Sequence, residues 1–150
     1  MIEINNLTAA SIEEDFIKQI IQGVFKGEKK ELNVSLSFLG PARMRKLNKK
    51  YRGKKRVTNV LTFQGGEFFF EKASKEIQRT KNWGEIVICP REVKKSAKRF
   101  KTSFQKELAR VLIHGILHLF GYDHEKSEDE ERKMREKEEH YLEETMKLGT

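Results

Sequence analysis

His114-Gly115-Ile116-Leu117-His118-Leu119-Phe120-Gly121-Tyr122-Asp123-His124 is the stretch on which the fold and chemistry of this 150-residue chain turn. An apolar, helix-periodic run leads into it from Ser103. Residues four apart on an α-helix differ by about 40° in azimuth and about 6 Å in height, so His114 and His118 project from one face. Gly121 predicts the end of that helix and a reversal of the chain. His124, six residues past His118, is then placed to return as a third ligand. Three neutral imidazoles with an open fourth position make a catalytic zinc site, in which the bound water is acidified to a pKa of about 7. A structural site would be closed by a fourth protein ligand, and the one cysteine, Cys89, is remote in sequence. Packed imidazoles are the ordinary alternative for a pair at this spacing. Three of the four histidines fall within this stretch, which favours metal. His140 has no partner at ligand spacing and reads as solvated.

Helical zinc peptidases carry H-E-x-x-H, where the glutamate beside the first ligand is the general base. Here Gly115 stands in that position and cannot take a proton. Its missing side chain is also expected to leave room over the metal for a bulkier substrate.

Working outward, the chain alternates strand-like and helix-like segments without a repeat. Ile2-Glu3-Ile4 is a strand candidate. Ser11 and Glu14 have capping-box spacing, and Ile12, Phe16, Ile17, Ile20, Ile21, Val24 and Phe25 trace one helical face that ends near Gly27. Leu32, Val34, Leu36 and Phe38 alternate with polar residues, the period of a half-buried strand. Gly40-Pro41 opens a basic helix that closes near Tyr51. Residues 60–63 and 85–89 read as strands, and the Lys-rich stretch 64–83 between them as loop or hairpin, with Phe68-Phe69-Phe70 as packing. Pro90 starts a helix through Phe100, Ser103 starts the histidine helix, and Ser127 with Glu130 opens an acidic helix to about Leu148. Cys89 closes the last strand as a small core residue.

Length fits one domain, residues 1–150, with a single core. Charged residues make up 36% of the chain, and no apolar run nears the roughly 18 residues of a membrane span. The first residues carry neither a basic region nor an apolar stretch, and one cysteine cannot form an internal disulfide. A cytoplasmic protein with no membrane association, monomeric, is therefore expected. The net charge of +8 divides unevenly. Beyond His124 there are ten acids and six bases; before it there are 25 bases and 13 acids. Arg43, Arg45, Lys46, Lys49, Lys50, Arg52, Lys54, Lys55 and Arg56 form a run with no acid. Such a run suits phosphates, whose neutralisation releases condensed counterions; a solvated surface is the bland alternative. Lys94, Lys95, Lys98 and Arg99 add to the basic total.

The segment 114–124 resembles the H-G-x-L-H-L-x-G-Y-D-H signature of the YbeY-type endoribonucleases, zinc-dependent bacterial proteins linked to ribosomal RNA maturation and ribosome quality control. Leu47-Asn48-Lys49-Lys50-Tyr51-Arg52-Gly53-Lys54 followed by Thr58-Asn59-Val60-Leu61-Thr62-Phe63 is similar to that family's L-N-x-x-Y-R-G-K…T-[DN]-V-L-S-F block, and residues 84–88 to its G-D-I-x-I strand. Val57, Gln64 and Glu85 depart from the pattern, where proline, proline and aspartate are usual.

The resemblance implies that His114, His118 and His124 are the metal ligands, and that Arg52, with His114, is catalytic. A guanidinium fits phosphate oxygens and stabilises charge building on phosphorus. It further implies a zinc-dependent, single-strand-specific endoribonuclease that matures the 3′ end of small-subunit ribosomal RNA, with the ribosome or its proteins as partners. One Zn²⁺ per chain is expected, although three imidazoles also suit Ni²⁺. The other eight bases of the run, with Lys94, Lys95, Lys98 and Arg99, would hold the RNA strand. Asp123 would either orient a ligand imidazole or cap a turn. Thr58 and Asn59 would line the cleft. The fold class expected is α/β (α+β): one domain with a small mixed sheet of about four strands packed with helices, the metal at the end of a central helix, zincin-like. The competing functions are a zinc metallopeptidase-like hydrolase and a non-catalytic ribosome-assembly factor with a structural metal.

Overall fold

Val34, Leu36 and Phe38 alternate with Asn33, Ser35 and Ser37, and that period of two builds an inner strand of a four-stranded sheet. The computed structural model describes residues 1–53, 58–65, 73–123 and 125–148. Its strands are β1 (Ile2–Asn6), β2 (Asn33–Phe38), β3 (Val60–Gln64) and β4 (Trp83–Ile88), in the order β1-β2-β4-β3. β1 and β4 flank β2 in parallel, and β3 closes one edge antiparallel to β4. The mixed sheet and its strand number agree with the expectation from sequence.

The pleat gives the sheet two unlike faces. Val34, Leu36, Phe38, Ile86 and Ile88 point to one, where they meet helix α1 (Glu14–Glu28), helix α5 (Phe104–Leu119) and, through Met134 and Tyr141, helix α6 (Glu128–Leu148). Leu61, Phe63 and Val87 point to the other, against Met44 of helix α2 (Pro41–Arg52), with Leu39 and Cys89. Cys89 is buried and a core residue, as expected. Helix α3 (Lys75–Gln78) interrupts the stretch expected to be loop or hairpin, and helix α4 (Pro90–Arg99) follows β4. Phe68-Phe69-Phe70 lies outside the described residues.

Helix boundaries follow local chemistry with one correction. Ser103 Oγ accepts from the Lys106 amide and Ser127 Oγ from the Glu130 amide, each at 3.1 Å, as their spacing predicts. Ser11 does not cap α1. That helix starts at Glu14 with Glu13 in the cap position and no side-chain cap. Ile12 and Ile17 flank this start at hydrophobic-staple spacing and both join the core, so apolar packing sets the entry in place of a serine hydroxyl. α1 ends near Gly27, as expected, but Gly27 is not its left-handed residue. The helix runs through Glu28 and Lys29 takes the left-handed conformation (φ 57°). Gly27 is instead where the ring of Tyr141 lies, 2.4 Å from where a Cβ would stand. Gly121 does end the α5 segment, at φ 101°.

Gly115 has a role other than the one expected of it. A Cβ there would stand 3.2 Å from Thr62 Cγ2 and 3.4 Å from Ile86 Cγ2. The space is filled by β3 and β4, not left open above a metal. One turn later Leu119 presses against Gly84, where a Cβ would come within 2.8 Å of Leu119 Cδ2. Two glycines, one on the helix and one on the sheet, thus let α5 lie close against the strands.

A single carboxylate ties three segments together. Glu28, with a side chain only 3% exposed, accepts from Tyr122 (2.6 Å), Lys137 (2.9 Å) and Tyr141. It joins the end of α1 to the turn after α5 and to two consecutive turns of α6. Burial pushes the Glu28 carboxyl up, but the bonds from Tyr122, Tyr141 and Lys137 outweigh it and hold the carboxyl below its ordinary value. Burial and the bond to Glu28 push Tyr122 and Tyr141 up, and the bond to Glu28 pushes Lys137 up.

Two expectations follow. Gly115→Glu must lift α5 from the sheet and bury a carboxylate, so it should cost more than about 3 kcal/mol in urea denaturation and yield no peptidase; peptide hydrolysis by a stably folded variant would refute this account. The Glu28 contribution should be present above the carboxyl's ordinary value and be lost as pH falls through its lowered one. The Tyr and Lys contributions should be present below their ordinary values and be lost as pH rises through the raised ones. Thermal melts should therefore show a stability plateau falling off on both the acid and alkaline sides. Glu28→Gln should lower that plateau by about 2–3 kcal/mol and flatten both limbs.

Candidate metal centre and its cleft

The close seating of α5 brings its last two turns over the edge strand β3. His114 and His118 are half-buried there, and their Nε2 atoms stand 3.0 Å apart with ring planes at 80°. Two nitrogens bound to one tetrahedral zinc at about 2.0–2.1 Å lie about 3.3 Å apart. The pair therefore needs only a few tenths of an ångström of adjustment to share an ion. Nδ1 of His114 bonds to Oε1 of Glu138 on α6. A carboxylate on Nδ1 fixes the tautomer that turns the Nε2 lone pair toward a metal. The donor set fits zinc. Among the described residues no cluster of three or more His, Cys, Asp or Glu is gathered as a metal site; His124, the expected third ligand, lies outside them.

These histidines open into a cleft of about 460 Å³ lined by Asn48, Arg52, Thr58, Val60, Leu61, Thr62, His114, His118, Asp123 and Glu125. Arg52 reaches it from the last turn of α2, which Gly53 ends at φ 70°. Nη2 of Arg52 donates to the Thr62 carbonyl at 2.7 Å, and its guanidinium lies 4.7 Å from the centre of the Phe63 ring. The arginine thus covers the open edge of β3 and stands in the same cleft as the imidazoles. Gln64, at one of the departures from the family pattern, donates to the Leu119 carbonyl at 3.2 Å, fastening β3 to the end of α5. Glu85, another departure, is buried on the face of the sheet away from α5 and does not line the cleft.

The other sequence candidates separate. Thr58 lines the cleft, whereas Asn59 uses its carbonyl to accept from the Cys89 amide at 2.9 Å. Asp123 lines the cleft and caps the turn, its carboxylate accepting from the Glu125 amide at 2.9 Å. Tyr122 is packed and bonded to Glu28, and His140 is exposed, with its ring against Tyr141. Arg43, Arg45, Lys46, Lys49 and Lys50 are exposed along α2 and none is among the cleft-lining residues. The same holds for Lys94, Lys95, Lys98 and Arg99 on α4. Lys54, Lys55 and Arg56 lie outside the described residues.

Asn48, which lines the cleft, and Glu138, which bonds to His114, escaped sequence reasoning. Asn48 is buried, one helical turn before Arg52, and that i, i+4 spacing was a usable signal. Glu138 gave none, being one of ten acids in the C-terminal segment.

A family profile described as Endoribonuclease YbeY matches residues 3–146. The Endoribonuclease YbeY of Thermodesulfovibrio yellowstonii is 39% identical over 143 residues, covering 84% of this chain and 82% of that one. The Endoribonuclease YbeY of Thermotoga maritima is 35% identical over 128 residues, covering 85% and 77%. The solution structure of TM1509 from Thermotoga maritima superposes with a TM-score of 0.65 at 33% identity, covering 97% of this chain and 89% of that one. A match that runs from β1 into α6, and so takes in every element that builds the cleft, places this chain in the Endoribonuclease YbeY family.

Proposed function

We propose that the chain is a metal-dependent endoribonuclease that cuts single-stranded RNA, with one zinc ion held by His114, His118 and His124. The observation that carries this reading is the convergence of two Nε2 atoms, 3.0 Å apart, in a cleft shared with Arg52. A bound zinc would supply a Lewis acid and an acidified water. The chain's own residues do the rest. Glu138 holds the His114 ring in one tautomer. Arg52 presents a guanidinium to a phosphodiester in the cleft, where it stabilises negative charge gathering on the phosphoryl oxygens. The buried amide of Asn48 and the hydroxyls of Thr58 and Thr62 offer hydrogen bonds to sugar and phosphate. Family membership favours ribosomal RNA, the 3′ end of the small-subunit RNA, as the substrate, and the cytoplasm as the compartment. No helix among the described residues is long and apolar enough to cross a membrane. The peptidase alternative loses ground because the place of its general base is occupied by Thr62 and Ile86 packing on Gly115.

Arg52→Ala should lower kcat on an unstructured RNA at least about 100-fold while fold and metal content stay intact by circular dichroism and metal analysis. Turnover near wild type would remove Arg52 from the chemistry. Dialysis against a chelator should abolish cleavage and Zn²⁺ should restore it; cleavage that persists in metal-free protein would overturn the proposal. Glu138→Gln should weaken zinc affinity about 10–100-fold in chelator competition, and an unchanged affinity would deny it the orienting role.

A further inference from the structure

Helix α4 carries an exposed basic face of its own, apart from that of α2. Its inner face buries Pro90, Val93, Ser96 and Ala97. Arg91, Lys94, Lys95 and Lys98 recur at i, i+3, i+4 and i+7 and are all exposed, a continuous basic ridge about 10 Å long. Glu92 is the only acid on the helix, and its carboxylate lies 3.7 Å from Lys95. Helix α6 shows how this chain builds a merely solvated face: Asp129 with Arg132, Glu130 with Lys133 and Glu131 with Arg135 interleave the two signs. The α4 ridge sets like charges one turn apart, which opposes helix formation by about 0.2–0.5 kcal/mol per pair. A polyanion laid along it relieves that repulsion.

Two further features say which polyanion. Phe100 caps the helix with its side chain 59% exposed, the most exposed large apolar residue among those described. The Arg99 guanidinium sits 5.1 Å from the centre of its ring. An aromatic face beside cations is a platform for an unpaired base. At its other end the helix abuts the cleft. Cys89, its N-cap, donates to the carbonyl of Asn59, and Thr58 and Val60 on either side line the cleft.

We propose that the outer face of α4, from Arg91 to Phe100, is a second contact for single-stranded RNA, outside the cleft. Phosphates lie along Arg91, Lys94, Lys95 and Lys98, and a base stacks on Phe100. The ridge extends the bound strand beyond the scissile position, so long substrates are favoured over short ones. This rests on the cleft being a ribonuclease site, and the experiment separates the two.

The full chain is compared with the combined variant Lys94→Glu, Lys95→Glu, Lys98→Glu and with Phe100→Ala, each checked for wild-type melting. Probes are an unstructured RNA of about 20 nucleotides, a trinucleotide confined to the cleft, a duplex RNA, and phosphatidylserine–phosphatidylcholine vesicles. Binding is measured in chelator, where turnover does not intervene, and cleavage in zinc. The charge reversal should raise Kd and KM for the long RNA at least tenfold and leave kcat and trinucleotide cleavage unchanged. It should also reduce the slope of log affinity against log salt by about 2, the value for three phosphates on a single strand. Phe100→Ala should weaken long-RNA binding about five- to tenfold with the slope unchanged. Wild-type affinity and salt slope in the reversed variant would overturn the inference, as would a loss confined to duplex or vesicles. If the wild-type chain binds the long RNA through α4 yet cuts none of it, the inference stands and the cleft reading falls.

Discussion

The approach of α5 to the sheet is the constraint on which the site depends. Ordinary side chains hold a helix off the sheet it packs on; here Gly115 on the helix and Gly84 on the strand remove the spacers on both sides. Thr62 and Ile86 fill the place of one missing side chain and Leu119 that of the other. Because β3 is an edge strand, lowering the helix onto it brings the two imidazoles level with the strand edge that Arg52 caps from the opposite face of the sheet. Cleft and packing are one arrangement. The residues that make the helix fit are interleaved with the two histidines of the cleft, at positions 114, 115, 118 and 119.

That interleaving explains what was legible in the sequence. The histidine pair was visible because a helix converts a spacing of four into a shared face. The strand β2 was visible from its alternation, although the period suggested a half-buried strand and the sheet covers both its faces, with Ser35 and Ser37 buried like Val34, Leu36 and Phe38. The glycine between the histidines could be seen to lack a base, but its partners, Thr62 and Ile86, lie on other strands and could not be read locally. Arg52 stood among nine like charges until family resemblance singled it out. The structure supplies the reason in the hydrogen bond to Thr62 and the stacking on Phe63. Glu138 remained hidden because an imidazole's carboxylate partner is chosen by how two helices cross. Ser11 misled for the opposite reason: a short motif promised a cap, and the isoleucines flanking Glu13 settled the helix start.

Charge followed the same division. The net balance suggested a phosphate partner, yet of the six bases of the long run that lie among the described residues, only Arg52 lines the cleft. The other five lie on α2, and α4 carries a separate set of bases. Sequence shows how many cations a chain has and in what order; only the fold shows which of them face the same way as a reactive group. The acids of α6 are similarly split. Asp129, Glu130 and Glu131 pair with neighbouring bases on the surface, while Glu138 turns inward to His114.

The carboxylate of Glu28 finds its three partners 94, 109 and 113 residues further along the chain. A protein made from its N-terminus exposes α1 long before those hydroxyls and that ammonium exist. Until they arrive, Glu28 has nothing to offset its desolvation and keeps its place in water. α6 then docks with Lys137 and Tyr141 on Glu28 while the next residue after Lys137 meets His114. α6, which follows α1 and α5 in the chain, is thus the helix that completes both the core and the support of the histidine pair. Until α6 has been made, neither the Glu28 junction nor the bond from Glu138 to His114 can form, so the cleft waits on a segment distant in sequence from the strand it sits on.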